Sequence, residues 1–253
     1  MKKFYTILCF VLAVGFNATI AQNIDDPDTY VLIREDVVKP SMTVGYEASL
    51  AELSNFLSEN NVNDIMYLTE LHDNYSYAHV SIIKDIEQLE GGLRQYFKGS
   101  KNEAEFELIW DYLNESIESY KFTIGKFKPE LSYVSDGNLW LKESPYRRWN
   151  YYYFKPGTEE QAEKLIASWK SLYERKGIKH GFRVFQSLVG TESPAYIFTT
   201  WAESPLDYQK NLQDDIKLLG EDGAALWMAM MELVRKVETV EGWYLPQYSY
   251  QPE

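Results

Sequence analysis

The chain repeats itself at a nearly constant interval. Lys39-Pro40-Ser41 returns as Lys155-Pro156-Gly157, Ile109-Trp110 as Leu226-Trp227, and Pro129-Glu-Leu-Ser132-Tyr133 as Pro246-Gln-Tyr-Ser249-Tyr250. The offsets are 116 or 117 residues. Three separate anchors at one spacing describe a structural unit used twice. The first unit is expected over residues 22–134, a linker over 135–148 (which holds Gly137 and Pro145), and the second unit over 149–253.

Residues 1–21 stand apart from this pattern. Lys2 and Lys3 precede an apolar run from Phe4 to Phe16, too short to span a bilayer. Thr19-Ile20-Ala21 places small residues where a signal peptidase cuts. The chain is therefore expected to be exported, to the periplasm or the medium. Cys9 is the one cysteine. It follows Leu8 inside the apolar run, where a lipid-anchoring site would want a small residue. Residues 22–253 contain no cysteine, which excludes disulfides, thiol catalysis and thiolate metal sites there. The net charge of −13 becomes more negative once Lys2 and Lys3 are gone. Such a surface disfavours nucleic acid, and no later segment is apolar enough to cross a membrane.

Each unit reads as β-α-β-β-α-β. Asp28 to Lys39 and Trp149 to Lys155 are strand candidates that run into Lys-Pro, where proline ends the ladder. A helix follows in each. Tyr46, Leu50, Leu53 and Leu57 form one helical stripe, and Ala162, Ile166, Trp169 and Tyr173 form its counterpart. Thr158 with Gln161 suggests a capping box. Asn61 and Gly177, residue types that tolerate a left-handed stop, end the two helices at matched positions. Hairpins come next: Asp64 to His72 with Tyr75 to Ile83 around Asp73-Asn74, and Gly181 to Leu188 with Ala195 to Trp201. A helix starts at Ser204-Pro205-Leu206-Asp207. Gly99-Ser100 and Gly220 to Gly223 interrupt the helical regions, and the helices bearing Trp110 and Trp227 follow. The closing Pro-x-x-Ser-Tyr segments are expected to be the fourth strands.

This order resembles the ferredoxin-like unit of the dimeric α/β-barrel superfamily, which includes antibiotic-biosynthesis-type monooxygenases, haem-degrading monooxygenases and NIPSNAP-like proteins. The resemblance covers Asp28 to Glu253 as a pattern. It implies an α+β fold in which two tandem ferredoxin-like βαββαβ repeats pack as an intrachain dimeric α/β barrel. The Asn-Trp-His arrangement of haem-degrading members has no counterpart here, so no catalytic residue carries over, and the fold hosts enzymes and non-enzymes alike.

Candidate chemistry centres on the first hairpin. With a loop of Asp73 to Ser76, His72 pairs with Tyr77, and Glu70 pairs with His79. Alternation then puts Met66, Leu68, Glu70 and His72 on one face with Tyr77, His79 and Ser81, looking into the barrel. A carboxylate beside an imidazole raises its pKa and makes a general base or acid, so Glu70 and His79 are the catalytic candidates. The same pair also reads as plain cross-strand electrostatics. Tyr196 aligns with Tyr77, and Phe198 with His79. With Arg34 as an anion anchor and His72, these residues (Tyr77, Tyr196, Phe198) are the candidate ligand contacts. Tyr151-Tyr152-Tyr153-Phe154 reads as core filling or pocket lining, alternate rings facing opposite ways. No third ligand joins His72 and His79, so no metal is expected. His180 is expected at the surface. No phosphate loop or nucleophile elbow is present, and no cofactor is expected.

The sequence leaves three readings open: a binding protein whose aromatic barrel takes a small apolar or aromatic ligand, a cofactor-free monooxygenase-like or isomerase-like enzyme using His79 with Glu70, and a protein–protein interaction module. The barrel is expected to be complete within one chain, with the oligomeric state open. Mass spectrometry of the exported protein should find an N-terminus at Gln22, the residue after Ala21.

Overall fold

The computed structural model describes residues 29–83, 92–134 and 144–252. The expected signal segment, Cys9 and most of the expected linker lie outside these residues. The first half contains β1 (Tyr30–Val38), α1 (Thr43–Glu59), β2 (Tyr67–His72), β3 (Ser76–Ile83), a short α2 (Arg94–Phe97), α3 (Glu103–Ser116) and β4 (Ile117–Phe127). The second contains β5 (Tyr146–Phe154), α4 (Glu159–Lys176), β6 (Arg183–Val189), β7 (Ala195–Ala202), α5 (Pro205–Leu233) and β8 (Val234–Tyr244). The fold is mixed α+β. All eight strands close into an antiparallel barrel in the order β1-β3-β2-β8-β5-β7-β6-β4.

Alternation along each strand sorts side chains between two layers. Ile33, Leu68, Val80, Tyr151, Tyr153 and Ile197 fill the barrel interior. Each such buried side chain contributes roughly 1.5–3 kcal/mol. Of the two readings of the aromatic run, core filling is the one that holds for Tyr151 and Tyr153, which lie in this packed interior. On the outside, α1 and α3 cover the first-half strands, burying Tyr46, Leu50, Leu53 and Leu57 with Phe106, Ile109 and Leu113. Helices α4 and α5 cover the second-half strands over Phe154, Ala162, Ile166 and Tyr196.

The anchor motifs have local physical reasons. The Lys39 backbone N–H donates to Ser116 O at 2.9 Å, and its ammonium donates to Glu115 O at 2.6 Å. Lys155 does the same to Leu233 O (2.9 Å) and Glu232 O (2.6 Å). Each lysine thus satisfies carbonyls left open at a helix C-terminus and places a cation at the negative end of its dipole. Ser132 Oγ accepts from Val184 N at 2.9 Å, and Ser249 Oγ accepts from Thr69 N at 2.8 Å. Tyr133 OH donates to Ile178 O, and Tyr250 OH to Val62 O, both at 2.7 Å. Each closing segment therefore docks on a strand of the opposite half. The helix stops also match: Asn61 has φ 53° and Gly177 φ 63°.

Four expectations change. The closing Pro-x-x-Ser-Tyr segments are turns with one bridge each, Tyr133 to Phe182 and Tyr250 to Tyr67, not strands. The fourth strands are β4 and β8, which leave their helices directly as Ile117 and Val234 turn to ψ 135°. No glycine or proline marks either junction. The Thr158 hydroxyl donates to Lys155 O at 2.7 Å and caps nothing. Ser204 does cap its helix, accepting from Asp207 N at 3.1 Å, and Gly220 (φ 56°, ψ −142°) kinks that helix. Strand β5 starts at Tyr146, inside the expected linker.

The fourth change is register. The first hairpin turns through Asp73-Asn74-Tyr75, with Tyr75 left-handed at φ 62° and Asn74 Oδ1 accepting from Ser76 N at 3.0 Å. This loop is one residue shorter than expected. Thr69 therefore faces His79 across the ladder, and Glu70 faces Ala78. A one-residue slip moves every side chain of β3 to the other face.

Ser132→Ala and Ser249→Ala each strip a buried strand N–H of its acceptor. Each substitution should cost about 1–3 kcal/mol, read as a lower urea midpoint at unchanged slope.

Candidate functional site

A cavity of about 580 Å³ lies between the outer face of the first-half strands and helices α1 and α3. Its volume falls in the range of small-molecule sites. Leu32, Leu53, Ile65, Trp110, Leu113 and Phe122 give it apolar walls, and Arg34, Asp36, Tyr46 and His79 a polar floor. The strand pattern assembles this floor. Arg34 and Asp36 share a face of β1, Arg34 sits opposite His79 on β3, and His79 sits opposite Thr69 on β2. Tyr46 comes down from the first turn of α1.

The floor is one connected network. Arg34 Nε donates to Asp36 Oδ1 at 2.7 Å, and its guanidinium lies 5.4 Å from the ring centroids of Trp110 and Tyr120. Tyr46 OH is 2.8 Å from Asp36 Oδ2 and 2.9 Å from His79 Nε2. His79 Nδ1 is 3.0 Å from Thr69 Oγ1, which donates to Tyr248 O at 2.6 Å. A threonine has one hydroxyl hydrogen, and a carbonyl can only accept. Thr69 therefore accepts from His79 Nδ1–H, and the lone pair of Nε2 faces Tyr46. Tyr46 in turn has one hydrogen and two acceptors, Asp36 and His79. The network is short of one proton.

Burial lowers the His79 pKa to about 4; Asp36 opposes the shift and Arg34 adds to it. Burial, then Asp36, push the Tyr46 hydroxyl well above its usual value. Both groups are neutral at neutral pH. At the rim, Arg94 is paired with Glu107 at 2.7 Å and Asp111 at 3.2 Å, and Tyr96 OH donates to Asp64 at 3.1 Å.

His79 and Arg34 belong to this site, on the helix side of the sheet rather than inside the barrel. Glu70 does not. It lies in the barrel, 3.4 Å from His72 Nε2 and 3.8 Å from Arg147 Nε, so the pairing of Glu70 with His79 is overturned by the hairpin register. His72 packs edge-on to Trp149 at 5.6 Å, also within the barrel. Tyr77 is buried in the helix layer, its OH donating to Glu47 at 2.6 Å, and Tyr196 makes the matching bond to Glu163 at 2.9 Å. Phe198 packs on Tyr152 at 5.2 Å in the second half. None of these three borders the cavity. His180 is half-exposed and pairs with Asp215 at 3.0 Å. Among the described residues, no group of three or more His, Cys, Asp or Glu is placed to hold a metal.

Sequence reading missed Asp36, Tyr46 and Thr69 as members of the site. Tyr46 opens an otherwise aliphatic stripe on α1, and Arg34-x-Asp36 puts an ion pair on one face of a strand. Together those were the available signal.

No family model matches the sequence, and no curated protein matches it in sequence. Solved structures do match. A "putative monooxygenase" from Lactobacillus acidophilus NCFM aligns at TM-score 0.57 and 6% identity, over 88% of this chain and 96% of that one. An anthrone oxidase-like protein aligns at TM-score 0.56 and 12% identity, over 87% and 93%. Chlorite dismutase from Candidatus Nitrospira defluvii aligns at TM-score 0.52 and 12% identity, over 88% and 93%. The chain has the dimeric α/β-barrel fold of these neighbours. At such identities the likeness concerns the fold alone.

A histidine kept neutral by folding ties stability to pH. Its pKa is about 4 when folded against 6.5 unperturbed. As pH falls from 6.5 towards 4, the unfolded chain takes up a proton that the folded one refuses, so stability drops. This one group accounts for about 2–3 kcal/mol lost between pH 7 and 4.5. Urea melts at those two pH values should show that His79→Phe removes this part of the loss.

Proposed function

We propose that the first-half cavity binds a neutral, largely aromatic molecule with one weakly acidic O–H or activated C–H, and that it starts a cofactor-free, oxygenase-like reaction by removing that proton. The single observation behind this reading is the missing proton of the Asp36–Tyr46–His79 network. Tyr46 can pass its hydrogen to His79 Nε2 while taking one from the ligand, so the ligand becomes an anion and His79 an imidazolium facing Asp36. Arg34, bordering the same floor, offsets the charge that develops on the ligand. Arg34 and Arg94 already hold carboxylate partners, which favours an uncharged ligand over a carboxylate. The apolar walls favour flat rings.

The likeness to an anthrone oxidase-like protein suggests the rest of the sequence. The carbanion passes its electrons to dioxygen and forms a C–O bond. The peroxide is protonated, and loss of water leaves a carbonyl. For anthrone, one substrate and one dioxygen give anthraquinone and one water. A second reading, a carrier that binds without turnover, is favoured by the weak basicity of His79. We further propose that the halves are two copies of one βαββαβ unit, which the matched lysine, serine and tyrosine bonds support, and that the protein works after export.

Oxygen uptake with anthrone, together with titration of 2-naphthol against naphthalene, decides among these. Uptake that falls ~100-fold in His79→Phe is the expected result. Tight 2-naphthol binding without uptake would leave the carrier. Equal affinity for 2-naphthol and naphthalene would sink the proton-accepting site.

A further inference from the structure

We infer that Thr69 is the positioning residue that holds His79 in its proton-accepting tautomer, and that the second half supplies the group that makes Thr69 do so. The inference rests on the proton-accepting reading of His79, but its readout does not need turnover.

Two hydrogen-bond arrangements compete on the same heavy atoms. In one, Thr69 donates to Tyr248 O, His79 Nδ1–H donates to Thr69, and Nε2 carries the lone pair towards Tyr46. In the other, Thr69 donates to Nδ1, Nε2–H donates to Tyr46, and Tyr46 donates to Asp36. The second arrangement completes the Tyr46–Asp36 chain but leaves the Tyr248 carbonyl without the Thr69 hydrogen, and His79 has no lone pair for the relay. The 2.6 Å bond from Thr69 to Tyr248 O, against 3.0 Å to His79, selects the first. Thr69 is fully buried, so no water competes for its hydroxyl.

Tyr248 reaches this position because its neighbours tie the closing segment of the second half to β2. Leu245 N donates to Thr69 O at 2.8 Å, and Tyr250 and Tyr67 exchange backbone bonds at 2.9 Å. Ser249 Oγ accepts from Thr69 N at 2.8 Å. One residue of β2 is thus gripped on its N–H, carbonyl and hydroxyl by a segment from the other half. Thr69 touches no ligand. It acts through the ring of His79.

The test is the ring-nitrogen chemical shifts of His79 in the full chain labelled with ¹⁵N-histidine. The resonances are assigned by their absence in His79→Phe. Wild type should show Nδ1 protonated and Nε2 bare at pH 7. Thr69→Val keeps the shape but removes the hydroxyl, so the tautomer should reverse, and 2-naphthol binding should weaken by about tenfold, the loss of one hydrogen bond. Thr69→Ser should restore both. A reversed tautomer in the wild type, or an unreversed one in a folded Thr69→Val protein, overturns the proposal; if Thr69→Val fails to fold, a Thr69→Ser protein with the tautomer reversed overturns it instead. If the tautomer reverses while no aromatic hydroxyl binds to wild type, the positioning role stands and the functional reading falls.

Discussion

The barrel is closed across two short seams, and a segment from the far half pins each of them. Strands β2 and β8 pair only over Glu70 to His72, and β4 and β6 only over Ile124 to Phe127. Within the first half, β1 pairs with β4 along its whole length. The seams gain their remaining backbone partners from the closing segments. Ser132 and Ser249 each accept a strand N–H and donate to the carbonyl four residues back, at 2.8 Å in both cases. One hydroxyl thereby satisfies two main-chain groups that would otherwise be buried unpaired. The halves are consequently interleaved, and the hydrogen-bond network behind the floor of the first-half cavity ends on an atom of the second half, the carbonyl of Tyr248.

Asp36 organises that floor. A buried carboxylate is tolerated only with partners on both oxygens. Arg34 supplies one, Tyr46 the other, and the rings of Trp110 and Tyr120 hold the guanidinium in place. At the matching positions the second half carries Asn150, Tyr152, Ala162 and Phe198. There Tyr152 packs edge-on to Phe198 and Trp227, with ring centroids 5.2 and 6.4 Å apart, in a filled aromatic cluster. The same backbone seat holds a charged network beside open volume in one half and packed rings in the other. The chain has spent the polar option once.

Much of this was legible in the sequence. The anchors, the helix stripes, the matched stops at Asn61 and Gly177 and the asymmetry between the halves follow from residue spacing and left-handed tolerance. The fourth strands were not legible, because α3 and α5 pass into β4 and β8 without a breaker, and a closing motif of proline, serine and tyrosine resembles strand punctuation. Whether the barrel interior is open or packed was not decided by the sequence for another reason. Alternating apolar strands say which residues share a face, but they do not say whether opposing faces meet. His79 and Arg34 were legible as residues of interest. Their partners were not, since Tyr46 and Thr69 lie on other elements than Asp36 and look like ordinary buried positions.

The chemistry of the site turns on the length of one loop. With four residues between β2 and β3, His79 would enter the barrel beside Glu70, and a buried ion pair would raise its basicity. With three, made possible by the left-handed Tyr75, His79 turns outwards to the cavity, and Glu70 stays inside with His72 and Arg147. The two carboxylates then differ in reach. Glu70 is fully buried within the barrel and balances charge in the core, where it cannot meet a ligand in the cavity. Asp36 borders the cavity, with one oxygen held by Arg34 and the other by Tyr46. A neutral histidine, a hydroxyl with one hydrogen for two acceptors, and a carboxylate already held by Arg34 and Tyr46 are what the shorter loop brings together beside the cavity.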